Sequence, residues 1–176
     1  MVRGLPPVRL RQPRHWRAWR LSRGSTELAR AAWRRGERHR AARLLERADR
    51  LAALALAEGP LTAAAVWRAW IACTNALCYG RAAEDAGARA AALERLCQAL
   101  AAALERGGAC AAACAAALEV FGYASLRLWR CQRFELDTPE RAALTLGRWR
   151  GLWRRHGRRA MPCAPGEVRA VPGGEV

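Results

Sequence analysis

Apolar residues recur at three- and four-residue spacing along most of the chain, the pattern of helices that each bury one face. Ala41, Leu44, Leu45, Ala48, Leu51, Ala52 and Ala55 trace such a face and predict a helix over about 37–57. Gly59-Pro60 ends it, because proline lacks the backbone donor a helix needs. Upstream, Ser25 or Thr26 can cap a shorter helix with Glu27 in its first turn, running through Leu28, Ala31, Ala32 and Trp33 to Gly36. Val66, Trp67, Trp70, Ile71, Ala76 and Leu77 predict a long third helix over about 61–86, broken at Gly87. Leu93, Leu96, Cys97, Leu100 and Leu104 predict a fourth over about 88–105, stopped by Gly107-Gly108. A fifth follows over about 109–133, carrying Cys110, Cys114, Ala117, Leu118, Phe121, Leu126, Leu128 and Trp129. In "ELDTPE", Thr138 suits an N-cap and Pro139 a first helical position, so a sixth helix is expected over about 139–156.

Composition agrees with an all-α fold. Alanine, leucine and arginine dominate the 176 residues, while the β-branched and aromatic residues of strands are scarce. The length suits one domain with a real core. Residues 24–158 are expected to form it. Residues 1–23 are expected to be a basic disordered tail, since Pro6, Pro7 and Pro13 oppose regular structure, apart from a short helical turn around Trp16 and Trp19. Residues 159–176, rich in proline and glycine, are expected to be a second disordered tail.

The first helix pair carries a finer pattern. Gly36 is followed by Ala48 and Ala55, twelve and nineteen residues on, and by Pro60 after 24. A small residue at the turn, two more where helices cross closely and a proline at the boundary resemble the tetratricopeptide repeat (TPR), a 34-residue helix hairpin. Ala32, Arg35, His39 and Ala52 depart from the large residues common in that repeat, so a generic helical hairpin remains the alternative. A second unit can be laid on Gly87 and Ala99, with Arg106 as a departure, and the last two helices would form a third pair. The resemblance implies antiparallel helix hairpins stacked as a short TPR-like α-solenoid or bundle of about six helices. More widely, Asn75, Gly87, Leu93, Cys110, Cys114 and Gly122, within about 25–135, resemble a small group of proteobacterial TPR-like proteins without an assigned activity. That likeness implies a fold and a class only.

On TPR geometry the first helix of each pair lines a concave face that can hold a peptide or a partner helix. This implies a partner surface at Trp33, Arg34, Trp67, Trp70, Asn75 and Tyr79, with Trp70 and Ile71 alternatively in the core. The expected function is a non-enzymatic protein–protein interaction module or adaptor, bacterial and cytoplasmic, with a protein or peptide partner and no cofactor.

The net charge of +16 raises a second function, nucleic-acid binding. The chain has no lysine, which fits a GC-rich coding bias, and the excess sits at the ends. Residues 1–23 carry seven arginines and no acid; residues 148–176 carry seven against two glutamates. In between, the arginines are nearly matched, those of the second helix by Glu37, Glu46, Asp49 and Glu58 on its solvent side. Arg148, Trp149, Arg150, Trp153, Arg154, Arg155, Arg158 and Arg159 combine phosphate-binding guanidinium groups with rings on which bases could stack. Trp16 and Trp19 with Arg14, Arg17 and Arg20 repeat the combination.

Arg150 and His156 also resemble the Arg…His pair of helical HEPN-type ribonucleases, since arginine can hold a phosphate and histidine move a proton. The plainer reading is a basic helix end, favoured by the helix dipole. Seven cysteines show neither close CxxC pairs nor Cys/His clusters, so no metal site is expected; they read as small apolar residues in helix interfaces. No apolar run is long enough for a transmembrane helix, and no P-loop or nucleophile elbow is present.

Overall fold

Residues 12–160 are described by a computed structural model. Among them no strand occurs, and six α-helices follow one another: α1 (Arg14–Arg34), α2 (Arg38–Glu58), α3 (Ala63–Tyr79), α4 (Ala86–Arg106), α5 (Ala111–Arg130) and α6 (Pro139–Ala160). A 3₁₀ turn, Arg81–Ala83, joins α3 to α4, and a π-helical turn, Cys131–Glu135, prolongs α5.

The first hairpin is held by small residues. Ala18, Ser22, Ser25, Ala29 and Ala32 are buried along α1, and Ala41, Leu45, Ala48, Ala52 and Ala55 along α2. Both series step alternately by four and three residues, the spacing of a continuous seam. With leucine at only one of these positions the two backbones come close, and the Ser22 hydroxyl donates to the Ala48 carbonyl at 2.8 Å. The turn is a Schellman motif: Gly36 N–H donates to the Trp33 carbonyl and Glu37 N–H to that of Ala32, with Gly36 at φ 77°. Gly59 ends α2 and Pro60 follows, so Gly36, Ala48, Ala55 and Pro60 stand where the hairpin spacing places them.

Two boundaries differ from expectation. α1 begins at Arg14, so residues 14–23 are helical rather than tail. Ser25 and Thr26 lie inside the helix: Ser25 is buried, and the Thr26 hydroxyl donates back to the Ser22 carbonyl at 3.1 Å. Residues 1–11 and 161–176, the remainder of the two expected tails, lie outside the described residues, while α6 carries 159–160 within it. The second difference lies between α3 and α4. α3, capped by Thr62, stops at Tyr79. The chain turns over Gly80–Asp85, and the Asp85 side chain caps α4 by accepting from Ala88 N–H at 3.0 Å. Gly87 therefore sits in the first turn of α4 and does not make the turn, although Ala99 is buried, 4% exposed.

α2 packs on α1, α3 and α4, and α5 packs on α3, α4 and α6. The core lies around these two helices and includes Leu56, Val66, Leu93, Leu96, Leu100 and Phe121. Each such leucine contributes about 1.5–3 kcal/mol relative to an exposed one. α5 and its π turn are long and apolar enough by composition to cross a membrane, and that apolarity is met here by its packing on three helices. Polar ties join α2 to α4. Asp49, expected on the solvent side, is buried and ion-paired with Arg95, because α4 packs over that face of α2. Arg106 donates to the carbonyls of Leu56 and Gly59 and so closes the end of α2.

Candidate partner-binding groove

α1 and α3 both pack on α2 but hardly on each other. A groove is left between them. Its outer half, about 300 Å³, lies against the turn end of the first hairpin and is lined by Trp33, Arg34, Asn75 and Tyr79 with Arg30 and Thr26; Ala29, Ala41 and Leu45 lie at its base. Its inner half, about 600 Å³, is lined by Trp16, Trp19, Arg20, Arg68, Ile71 and Asn75 among others. Thr26, Arg30 and Asn75 belong to both halves, so the groove is continuous.

Four of the six residues expected at the partner surface thus meet in one place. Trp33 and Tyr79 touch edge to face at 5.5 Å between ring centres, and the Arg38 guanidinium lies over the Trp33 ring at 5.9 Å. The other two do not join them. Trp70 is half-buried against the core, with the Arg127 guanidinium of α5 over its ring at 5.8 Å. Trp67 is exposed on α3 but lines neither half of the groove. One helical turn separates Trp67 from Ile71, which does line it, so neighbouring positions on α3 divide between the groove and other surfaces.

Sequence reasoning missed Arg30 and Arg68, and gave Trp16, Trp19 and Arg20 to a polyanion-binding end and Ile71 to the core rather than to this groove. The signal was present: the stripe Ala18, Ser22, Ser25, Ala29 continues the helix through the supposed tail and carries Trp19, Arg20 and Arg30 with it.

The arginine–tryptophan cluster of α6 is less unified. Arg148, Arg150, Arg154, Arg155, Arg158 and Arg159 are exposed, and Arg155 pairs with Glu105 of α4 at 3.3 Å. Trp149, expected as a stacking platform, is half-buried against the core because it packs into the gap at Gly122, where a Cβ would lie 3.3 Å from its Nε1. That Nε1 is buried with no hydrogen-bond partner among the described residues. Trp153 is 47% exposed. Arg148 and Arg155 face a second groove of about 730 Å³, between α4 and α6, floored by Phe121, Leu128 and Leu152.

Arg150 is exposed while His156 is buried, 6% exposed, about a third of a turn apart around α6, so the two do not share a surface. Burial, with the charges of Arg159 and Arg155, holds the His156 pKa below its ordinary value. Among the described residues no three His, Cys, Asp or Glu side chains come together as metal ligands. Cys110 is exposed and Cys114 buried, and burial pushes the Cys114 thiol up.

Compared with known proteins, the chain matches no family model, no curated protein and no solved structure.

Proposed function

We propose that this all-α protein is a TPR-like interaction module, bacterial, cytoplasmic and non-enzymatic, that holds a peptide or helix of a protein partner in the groove between α1 and α3. The observation that carries the reading is the meeting of Trp33, Arg34, Asn75 and Tyr79 in one groove, with Trp16 and Ile71 exposed at its other end. Large exposed apolar side chains gathered in a groove are what a partner would cover. The hairpin spacing Gly36–Ala48–Ala55–Pro60 supports the TPR-like class, although the second hairpin turns at Gly80–Asp85 and so departs from the repeat. Affinity capture from the native host, before and after nuclease treatment, tests it when the full chain is compared with a Trp33→Ala/Tyr79→Ala variant. A protein partner that survives nuclease and is lost with the variant is expected. A partner retained equally by both proteins would place binding elsewhere.

One observation favours a second reading, polyanion binding: five guanidinium groups of α6, those of Arg148, Arg150, Arg154, Arg158 and Arg159, are exposed with no carboxylate in reach among the described residues. It predicts RNA or DNA retention that falls steeply with salt and disappears when these arginines become glutamine.

A further inference from the structure

We propose that the α1–α3 groove takes an acidic polypeptide segment, with a large apolar residue set between its carboxylates; the proposal rests on reading that groove as the partner site. The charge of the groove is one-sided. Arg20, Arg30, Arg34 and Arg68 line it, and none has a carboxylate within salt-bridge reach among the described residues. Its one acid, Glu27, is held by Arg23 at 3.0 Å. Elsewhere Arg95 is matched by Asp49, Arg81 by Asp85 and Arg89 by Glu135. Unmatched cations therefore line both walls of one channel. An occupant carrying carboxylates displaces no internal partner and gains charge-assisted, bidentate hydrogen bonds from guanidinium forks.

Between those cations the surface is apolar. Ile71 is 56% and Trp16 60% exposed, with Trp19 half-buried beside them. A leucine or aromatic side chain of the occupant would cover this surface while its acidic neighbours reach the walls.

A polypeptide fits better than a nucleic acid. Base stacking needs an open ring face. Trp33 has Arg38 over its ring and Tyr79 in edge-to-face contact, and Trp19 is half-buried, so of the three tryptophans in the groove Trp16 alone offers a stacking site. Asn75, half-buried where the two halves of the groove meet, makes no side-chain hydrogen bond among the described residues. Its amide offers both a donor and an acceptor, matching the C=O and N–H of a peptide group.

The test is selection of randomised 12-residue peptides displayed on phage against the full chain, followed by affinity measurement on the enriched peptides. Enriched sequences should carry Asp or Glu on both sides of a Leu, Phe or Trp. Their Kd should weaken at least about tenfold in an Arg30→Glu/Arg68→Glu variant, and peptides with Lys in place of the acids should regain binding to that variant. Arg30 and Arg68 are exposed, so circular dichroism should show the variant folded. Neutral or basic peptides that are lost in Trp33→Ala/Tyr79→Ala would overturn the acidic class and keep the groove. Peptides insensitive to both variants, or no enrichment, would overturn the groove reading as well. A labelled single-stranded 20-nucleotide RNA bound by the chain and lost in the charge-reversed variant, with no acidic peptide enriched, would make nucleic acid the occupant and overturn the proposal.

Discussion

The Asp49 carboxylate on α2 accepts two hydrogen bonds from the Arg95 guanidinium on α4, at 2.7 and 3.2 Å, and Asp49 is only 1% exposed. Burial pushes its pKa above the usual carboxylate range, and the Arg95 hydrogen bond and charge offset this only in part. The ion pair fixes how the first hairpin sits on α4, and it does so at an electrostatic cost.

That balance gives a pH dependence. A folded-state pKa above the unfolded one means that the folded chain holds the proton more tightly. The associated stability is full below the unfolded pKa and is lost as pH rises through the folded one. Wild type should therefore gain stability relative to Asp49→Asn as pH is lowered from about 7 toward about 4, read by urea unfolding at each pH. Arg95→Ala should cost about 3 kcal/mol near neutral pH, because it strands a buried carboxylate. If Asp49→Asn costs more than Arg95→Ala, burial is not the dominant influence on Asp49.

The first hairpin was legible in the sequence because its constraints act on single residues. Gly36 has φ 77°, where a Cβ is strained, and a Cβ there would meet nothing within 4 Å. Gly36→Ala should therefore cost about 1 kcal/mol through the backbone alone, and Gly36→Asn less. Ala48 is 1% exposed under Ser22, so Ala48→Leu should overpack the seam at about 1–3 kcal/mol. Urea midpoints of the three variants check both. A neutral Ala48→Leu would mean that α1 is free to move off α2.

The unreadable parts depend on neighbours. Ser22 and Ser25 look like tail or cap residues until α2 lies over them and the Ser22 hydroxyl finds the Ala48 carbonyl. Gly80 and Gly87 are equal candidates for a turn in sequence. Only the N-cap at Asp85 puts Gly87 inside α4. Asn75 and Tyr79, one turn apart on α3, could be expected on one face from helical register, and Trp33 opposite them only from the hairpin resemblance. Arg30 and Arg68 could not, since the separation of α1 from α3 is what distinguishes them from the other arginines.

The cysteines should divide by burial. Burial pushes the Cys73 thiol far up and the Cys97 thiol up to about 11, so neither forms thiolate near neutral pH. Cys78 and Cys110 are exposed. In a Cys163→Ser background, which removes the one cysteine outside the described residues, iodoacetamide mapped by mass spectrometry should modify Cys78 and Cys110 first. Cys73 and Cys97 should react only on unfolding. Their early labelling in the folded chain would show α3 and α4 opening.

His156 gives the opposite pH sign to Asp49. Its ring is buried against the basic end of α6, Nδ1 has no hydrogen-bond partner among the described residues, and its pKa is held low by burial first and then by Arg159 and Arg155. The folded state favours the neutral ring. Its contribution is full above the unfolded pKa and is lost as pH falls through the folded one. Wild type should thus lose stability relative to His156→Gln between about pH 7 and about pH 5. A constant difference would mean that the imidazole is as solvated as in the unfolded chain. The same burial keeps the ring away from a phosphate held at Arg150, so His156→Ala should leave any RNA cleavage by the purified chain unchanged. Cleavage that disappears with this variant, while circular dichroism and the urea midpoint hold, would instead place His156 in an active site.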